Sequence, residues 1–458
     1  MGVAVACLTL SALAVHRTDG TIPDDAFITF RYAQNLIDGH GWVYNIDHPT
    51  ANAASAPLYT LGLALFGIMF GSVERAATLL FVFTTAASGY LAFAILRNNS
   101  MTLGGIAAMC LIIINHGCSP PEDLKRPLSC AYSYCLGARK PMALGFVLVA
   151  ATFVRGDAAV LASLVFALLW IQAKRIPVRL MIGGAAAAIL WTITTLVFSI
   201  PIVPSTLAAK MAPGRSGLWS TLYARGFFGI PKWFGMLDWA TMTMLPAGTG
   251  LLLLGGLREL RRYLGPFIVA VAGIFAAYGL IIRPPTYHWY YGPQLALMAL
   301  CSAVTIAVLA RAASANVAGH DSWKPDPARI TRLGSFDNRA RMATATAMAV
   351  TIFMTGAVCA FGWRDIGRGL GPTTYLRTAS WLDENTPERA TVALTEIGIV
   401  GWYSKREMID FLGLLSTDSV HEIAAHDSVS WLTREEPDYW VLHQPQWPGM
   451  TGHGGRSE

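Results

Sequence analysis

Between Leu180 and Ile200 the chain passes no charged side chain, and the same holds for 264–282 and 291–310. At ~1.5 Å per residue, about 20 apolar residues in helical form cross the ~30 Å hydrocarbon core of a bilayer. A backbone buried in lipid must satisfy its own hydrogen bonds, which leaves helices or closed barrels. The runs here are too long and too uniformly apolar for barrel strands, so the chain is expected to be an all-α polytopic membrane protein. Eleven candidate spans lie near 2–15, 57–72, 76–96, 101–115, 141–154, 158–172, 180–201, 238–257, 264–282, 291–310 and 342–361. Only 14% of residues are charged and 54% are hydrophobic, against about 25% charged in soluble domains. The run Val3 to Val15 lacks a basic n-region and a small-residue cleavage site, so it is expected to be an uncleaved first span.

Basic residues in short loops mark the cytoplasmic side. Lys174, Arg175 and Arg179 form one such loop, and Arg258, Arg261 and Arg262 another. The 311–341 loop and the 116–140 loop (Lys125, Arg126, Arg139, Lys140) complete the set, and counting spans places all four on one face. The loop at 16–56, the 202–237 loop, the Arg283–Tyr290 loop and the tail then share the outer face. The net charge of +6 is spread over these loops, which suits membrane orientation and argues against a nucleic-acid partner. Past residue 362 the chain turns polar. A helix at 375–384, a strand at Thr391–Leu394 and an apolar strand at 437–442 predict a small extracytoplasmic α/β domain over 362–458, after a transmembrane domain over 1–361.

The outer face collects the chemistry. Asp24 and Asp25 are adjacent acids just after the first span, with Arg31 six residues after Asp25 and Phe27, Phe30, Tyr32 and Leu36 recurring at roughly helical spacing. Acids favour helix N-termini, so a capping role stands beside a chemical one. Repulsion between the two carboxylates raises one pKa unless a cation compensates. Lys210 follows Pro204-Ser205-Thr206, and is read either as a snorkelling interfacial lysine or as a phosphate ligand. Arg283, His288, Tyr290 and Tyr291 fit an aromatic belt or a phosphate and sugar site. Arg155 and Asp157 are read as a short turn with an internal ion pair or as part of a site, and Glu396 either as an edge of the outer domain's core or as facing the site. Seven cysteines are present; Cys110, Cys118, Cys130 and Cys135, with His116 nearby, have spacings that match no zinc module. The 116–140 segment, with Pro120, Pro121 and Pro127, fits a cytoplasmic loop and fits equally a local change of reading frame.

The stretch Asp24-Asp25-Ala26-Phe27-Ile28-Thr29-Phe30-Arg31-Tyr32-Ala33-Gln34-Asn35-Leu36, followed by Gly39-His40-Gly41-Trp42-Val43-Tyr44-Asn45, resembles the first outer loop of GT-C membrane glycosyltransferases. Its nearest branch is that of the mycobacterial terminal arabinofuranosyltransferases. Pro204-Ser205-Thr206 with Lys210, Tyr287-His288-Trp289-Tyr290-Tyr291, and Trp381-Leu382-Asp383-Glu384-Asn385-Thr386-Pro387 through Glu396-Ile397-Gly398 to Asp410-Phe411-Leu412-Gly413-Leu414 match the same branch in order. Arg155-Gly156-Asp157 resembles the family's Arg-Pro-Asp-Gly with the proline absent, the family's Gly-Met-Glu is missing, and the C-terminal domain is short.

The resemblance implies a polyprenyl-phosphate-sugar donor and a glycan or lipid-linked acceptor, in a bacterial plasma membrane with the active site on the extracytoplasmic face. It implies inverting transfer, with Asp24 as base and Asp25 orienting the acceptor or, with Asp24, holding a divalent cation. Arg31, Arg155, Lys210, Arg283, His288 and Tyr290 are then candidates for donor phosphate and sugar, with Asp157, Tyr291 and Glu396 as further candidates. Two other classes compete: a transporter or flippase of lipid-linked sugars, which would place ionisable residues at mid-membrane and show internal repeats, and a non-catalytic envelope-assembly subunit, which would tolerate loss of Asp24.

Overall fold

The computed structural model describes residues 2–17, 22, 24–46, 48, 51–54, 56–97, 102–116, 140–156, 158–174, 176–201, 209, 211, 223–224, 226–227, 247–251, 258–283, 288–318, 373–415, 419–425 and 427–442. Helices dominate: α1 (Gly2–Arg17), α2 (Asp24–Ile37), α3 (Pro57–Phe70), α4 (Val73–Arg97), α5 (Thr102–His116), α6 (Pro141–Val154), α7 (Ala158–Ala173), α8 (Val178–Phe198), α9 (Arg258–Ala277) and α10 (Gly292–Ala318). The polar tail adds α11 (Thr373–Asn385), β1 (Thr391–Leu394), α12 (Ile397–Ser404), β2 (Glu407–Asp410), α13 (Ser419–Ala424), α14 (Ser428–Glu435) and β3 (Tyr439–Trp440).

Among the described residues, four helices are long and apolar enough to cross a bilayer: Val73–Arg97, Val178–Phe198, Leu264–Ile282 and Gly292–Leu309. Four shorter apolar helices accompany them, at Gly2–His16, Pro57–Phe70, Pro141–Val154 and Ala158–Gln172. Most of the span expected at 238–257, the whole of 342–361 and the 117–139 part of the unusual loop lie outside the described residues. The α8 surface shows what solvates these helices. Ile182, Ile189, Ile193, Leu196 and Val197 are all exposed, a placement that water penalises and lipid tails do not.

Close helix contact depends on glycine. A Cβ at Gly145 would overlap the Leu180 carbonyl oxygen, and one at Gly183 would overlap the Met142 carbonyl oxygen, so α6 and α8 meet backbone to backbone. Small residues permit this approach in membranes, where packing rather than hydrophobic exclusion holds helices together. The Pro at the start of α3 and of α6 fits the first turn, whose N–H groups have no partner inside the helix.

The α2 helix is amphipathic and is not among the span-length apolar helices. Its acids complement the positive N-terminal end, and it ends in a Schellman turn: Gly39 N–H donates to Leu36 O (3.3 Å) and His40 N–H to Asn35 O (2.8 Å). Gly39 and Gly41 both have positive φ, which only glycine adopts without a steric penalty. One side of α2, Phe27 and Phe30, packs with Tyr59, Leu63 and Ile399. The other, Ile28 and Tyr32, packs with Trp42, Tyr44, Val392, Leu394 and Ile397.

The tail folds as a three-stranded parallel sheet of order β2-β1-β3, with Thr391 opposite Glu407 and Val392 opposite Tyr439. The strand at Thr391–Leu394 falls where the sequence places it, and the helix and last strand are close to their expected bounds. The tail shares both apolar clusters with α2 and α3, so its core is continuous with theirs. Arg406 holds the tail's interior together. Only 5% exposed, it donates to Thr386 Oγ1 (3.0 Å) and to the carbonyls of Asp383 (2.8 Å), Thr386 (2.9 Å) and Ser404 (2.8 Å). Replacing Arg406 by Met strands these acceptors, and each buried unmet group costs ~1–3 kcal/mol. Thermal unfolding of the detergent-solubilised variant is expected to show a loss on the order of 3 kcal/mol.

Candidate functional site

The site is organised where α2 meets α12. Asp24, at the first turn of α2, sends its carboxylate across to the first turn of α12: Oδ1 accepts the Ile399 N–H (2.7 Å) and Oδ2 accepts the Gly398 N–H (3.1 Å). These amides belong to the part of a helix that has no internal acceptor, so the carboxylate satisfies them and gains from the positive end of the helix. Contact this close requires glycine, since a Cβ at Gly398 would overlap the Asp24 carbonyl oxygen.

Asp24 is half-buried while Asp25 is exposed. Crowding by protein atoms pushes the Asp24 carboxyl up to about 7; the Ile399 and Gly398 amides oppose this, and the negative charges of Asp25 and Glu396 add to it. A carboxyl poised near neutrality, with two of its roughly four lone-pair sites in use, is suited to take a proton from a hydroxyl.

Glu396 stands at the N-cap position of α12, accepts a short hydrogen bond from Thr395 Oγ1, and faces the Tyr375 hydroxyl. Burial, followed by the charges of Glu396 and Asp24, pushes the Tyr375 phenol up, so it stays protonated and available as a donor. Asp410, 1% exposed, folds the β2 exit around itself by accepting the amides of Leu412 (2.9 Å), Leu414 and Leu415. Burial pushes its carboxyl up to about 6 against those hydrogen bonds.

Several expected site residues take other positions. The Arg31 guanidinium is a clasp: Nε donates to Tyr44 O (2.9 Å), Nη1 to Gly401 O (2.9 Å) and Nη2 to Arg406 O (3.0 Å), and the group lies 4.5 Å from the Tyr44 ring centroid. Its donors point at carbonyls of the loop after α2 and of the tail, so in this structure it braces the two against each other.

Tyr290 and Tyr291 are 2% and 0% exposed. They pack among Tyr223, Phe227 and Tyr278, with Tyr223 Oη donating to Tyr290 O (2.8 Å) and Tyr291 Oη to Tyr223 O (2.8 Å). Both are core residues here; an aromatic run beside a span resembles an interfacial belt in sequence, and only the fold shows which way the rings turn. Arg155 is buried at the end of α6, its N–H donating to Ala151 O (3.0 Å). Arg283 is exposed and ends the π-turn after α9. The backbone of His288 lies in the 3₁₀ turn that leads into α10. Asp157 and Lys210 lie outside the described residues.

Gly401 and Tyr375 were not singled out by sequence reasoning, and Gly398 and Asn45 appeared only within motif stretches, with no role assigned. Gly401 is needed because a Cβ there would overlap the Tyr44 hydroxyl, which donates to Ile397 O (2.6 Å). Asn45 pairs with Met408 on β2 through both its amide groups, donating to Met408 O (2.8 Å) and accepting from Met408 N–H (3.1 Å). The sequence signal for the two glycines is their spacing on a short apolar helix, with Gly398 also inside the Glu396-Ile397-Gly398 stretch. Among the described residues no three His, Cys, Asp or Glu side chains gather in a metal-holding group.

With this geometry in place, comparison with known proteins gives the scaffold. No curated protein matches the sequence. Residues 368–455 match a domain of unknown function, DUF8728, which takes in the α12 helix and the sheet around it. The whole chain is similar in structure to ArnT from Cupriavidus metallidurans, a crystal structure bound to undecaprenyl phosphate. The TM-score is 0.50 and the identity 13%, over 92% of this chain and 87% of that one. At this identity the likeness carries the fold alone, a multi-pass helical arrangement that agrees with the span-length apolar helices among the described residues.

The clasp is testable. Arg31→Lys keeps the charge and loses the planar fork that reaches three carbonyls at once. The substitution is expected to cost ~2 kcal/mol and to expose the tail to limited proteolysis before the helices, as read by mass spectrometry of the fragments.

Proposed function

We propose that this protein is an integral membrane glycosyltransferase that moves a sugar from a polyprenyl-phosphate donor to a glycan or lipid-linked acceptor at the extracytoplasmic face. The observation that carries the reading is Asp24: a half-buried carboxyl held in a fixed orientation, pushed up to about 7, at the edge of an apolar helical scaffold. The ArnT likeness supports a polyprenyl-phosphate donor, since that protein was crystallised with undecaprenyl phosphate. The first-loop residues favour arabinofuranose as the sugar and a cell-envelope glycan as the acceptor.

In the proposed reaction an acceptor hydroxyl attacks the anomeric carbon from the face opposite the phosphate. The new C–O bond forms as the bond to the phosphate oxygen breaks, and the anomeric centre inverts. The hydroxyl proton passes to Asp24, and the electron pair of the broken bond leaves on the polyprenyl phosphate. A phosphate is already a good leaving group, so one carboxylate suffices, unlike the acid and base pair of a glycoside hydrolase. Arg155, Arg283, Lys210 and His288 are proposed to meet the negative charge that develops on the phosphate. Asp25 is proposed to orient the acceptor, and Glu396 with Tyr375 to hold a sugar hydroxyl beside it.

Purified protein assayed with a panel of polyprenyl-phosphate sugars tests this. Asp24→Asn is expected to lower transfer by on the order of 10²–10⁴-fold, the scale of a lost general base, with its circular-dichroism spectrum retained. Wild-type activity is expected to rise with pH through about 7, because the base acts when ionised. Equal transfer by wild type and Asp24→Asn would remove Asp24 from the role; no transfer from any donor would remove the reaction. An EDTA arm decides whether a divalent cation takes part.

A further inference from the structure

We propose that the Gly398 and Ile399 amides of α12 are the positioning device for the Asp24 carboxylate, so that the C-terminal segment completes the active site. The inference rests on the reading of Asp24 as the base. A carboxylate on the first turn of an exposed amphipathic helix ordinarily rotates freely. Here each oxygen accepts one backbone N–H, at 2.7 and 3.1 Å, from residues more than 370 positions away. Two hydrogen bonds from a rigid helix end fix the plane of the carboxylate and leave its remaining lone pairs directed elsewhere.

Everything around α12 holds that helix in register with α2. Its first carbonyl, Ile397 O, accepts the Tyr44 hydroxyl (2.6 Å). Its Gly401 carbonyl accepts Arg31 (2.9 Å), from the second turn of the same helix that carries Asp24. On the far side Trp402 Nε1 and Tyr403 Oη donate to Glu74 at the start of α4 (2.9 and 3.2 Å). A side chain at Gly398 would meet the α2 backbone at Asp24, and one at Gly401 would displace the Tyr44 hydroxyl. The device therefore joins α2, the outer loop, α4 and the tail at a single carboxylate.

The groups that face Asp24 are Asp25 on its own helix, Glu396 at the start of α12, Tyr375 from α11 and Tyr44 from the outer loop, with Asp410 next to Glu396. The acids all favour the protonated form of Asp24, and the two amides favour the ionised form. Removing an amide is thus expected to move the titration of Asp24 upward.

Ile399→Pro deletes one donor and leaves the helix able to form, since proline is accepted in the first turn. Ile399→Val keeps the donor while trimming the same buried side chain, and Gly398→Ala separates the helices. The titration of Asp24 is read directly, by isotope-edited infrared spectroscopy of the carboxyl band that disappears in Asp24→Asn, so this arm needs no turnover. Ile399→Pro is expected to raise the midpoint by about one pH unit, with Ile399→Val unchanged. In turnover, roughly fivefold lower kcat at pH 7, recovered at higher pH with KM unchanged, is expected from the same shift. Gly183→Ala, at the remote α6–α8 contact, is expected to lower thermal stability without moving the midpoint. A folded Ile399→Pro protein with an unmoved Asp24 midpoint would overturn the positioning role. A moved midpoint in a protein that transfers no sugar would leave the positioning intact and remove the proposed function instead.

Discussion

The structure depends on one contact, a carboxylate against the first turn of a short helix. Asp24 and the Gly398–Ile399 amides each leave an unsatisfied group if separated, a half-buried acid on one side and orphan N–H donors on the other. Buried polar groups without partners are costly, so each segment is the other's means of burial. The apolar clusters on both flanks of α2 exclude water around this pair and strengthen it.

This arrangement divides the polar residues by task. Arg31, Asn45, Arg406 and Asp410 meet backbone groups and fix the shape of the outer segment and tail. Asp24 shares in that work and keeps part of its surface open. A residue that both holds the fold and stands ready to accept a proton needs a firm frame, which the Tyr44 and Arg31 hydrogen bonds to α12 provide. The membrane helices serve the same end by other means, using glycine contacts such as Gly145 and Gly183 where lipid offers no hydrophobic driving force.

Much of the helical framework was legible in the sequence, because charge-free runs of span length admit few structures. The α1, α5, α6, α7 and α8 helices fall within a few residues of their expected ranges, and so does Thr391–Leu394. Asp24 was also legible, since two adjacent acids in a charge-poor chain stand out. Arg31 was legible as an unusual residue but not in its role. A cation six residues from an acid suggests an ion pair or an anion ligand, and nothing local reveals that its acceptors are carbonyls about 370 residues away. Tyr290 and Tyr291 pose a related case: rings at a membrane boundary look alike in sequence whether they turn outward or into a core.

The sequence by itself determined that the chain is a helical membrane protein, where its polar tail begins to fold as strands and helices, and which acids stand apart. These follow from local composition and periodicity, which act over one or two helical turns. Tertiary structure alone decided that Gly398 and Gly401 must lack side chains, that Arg31 is a clasp, that Tyr290 and Tyr291 are core, and that burial pushes the Asp24 carboxyl up to about 7. Each of those depends on which distant backbone groups come within about 3 Å, and no local pattern encodes that approach.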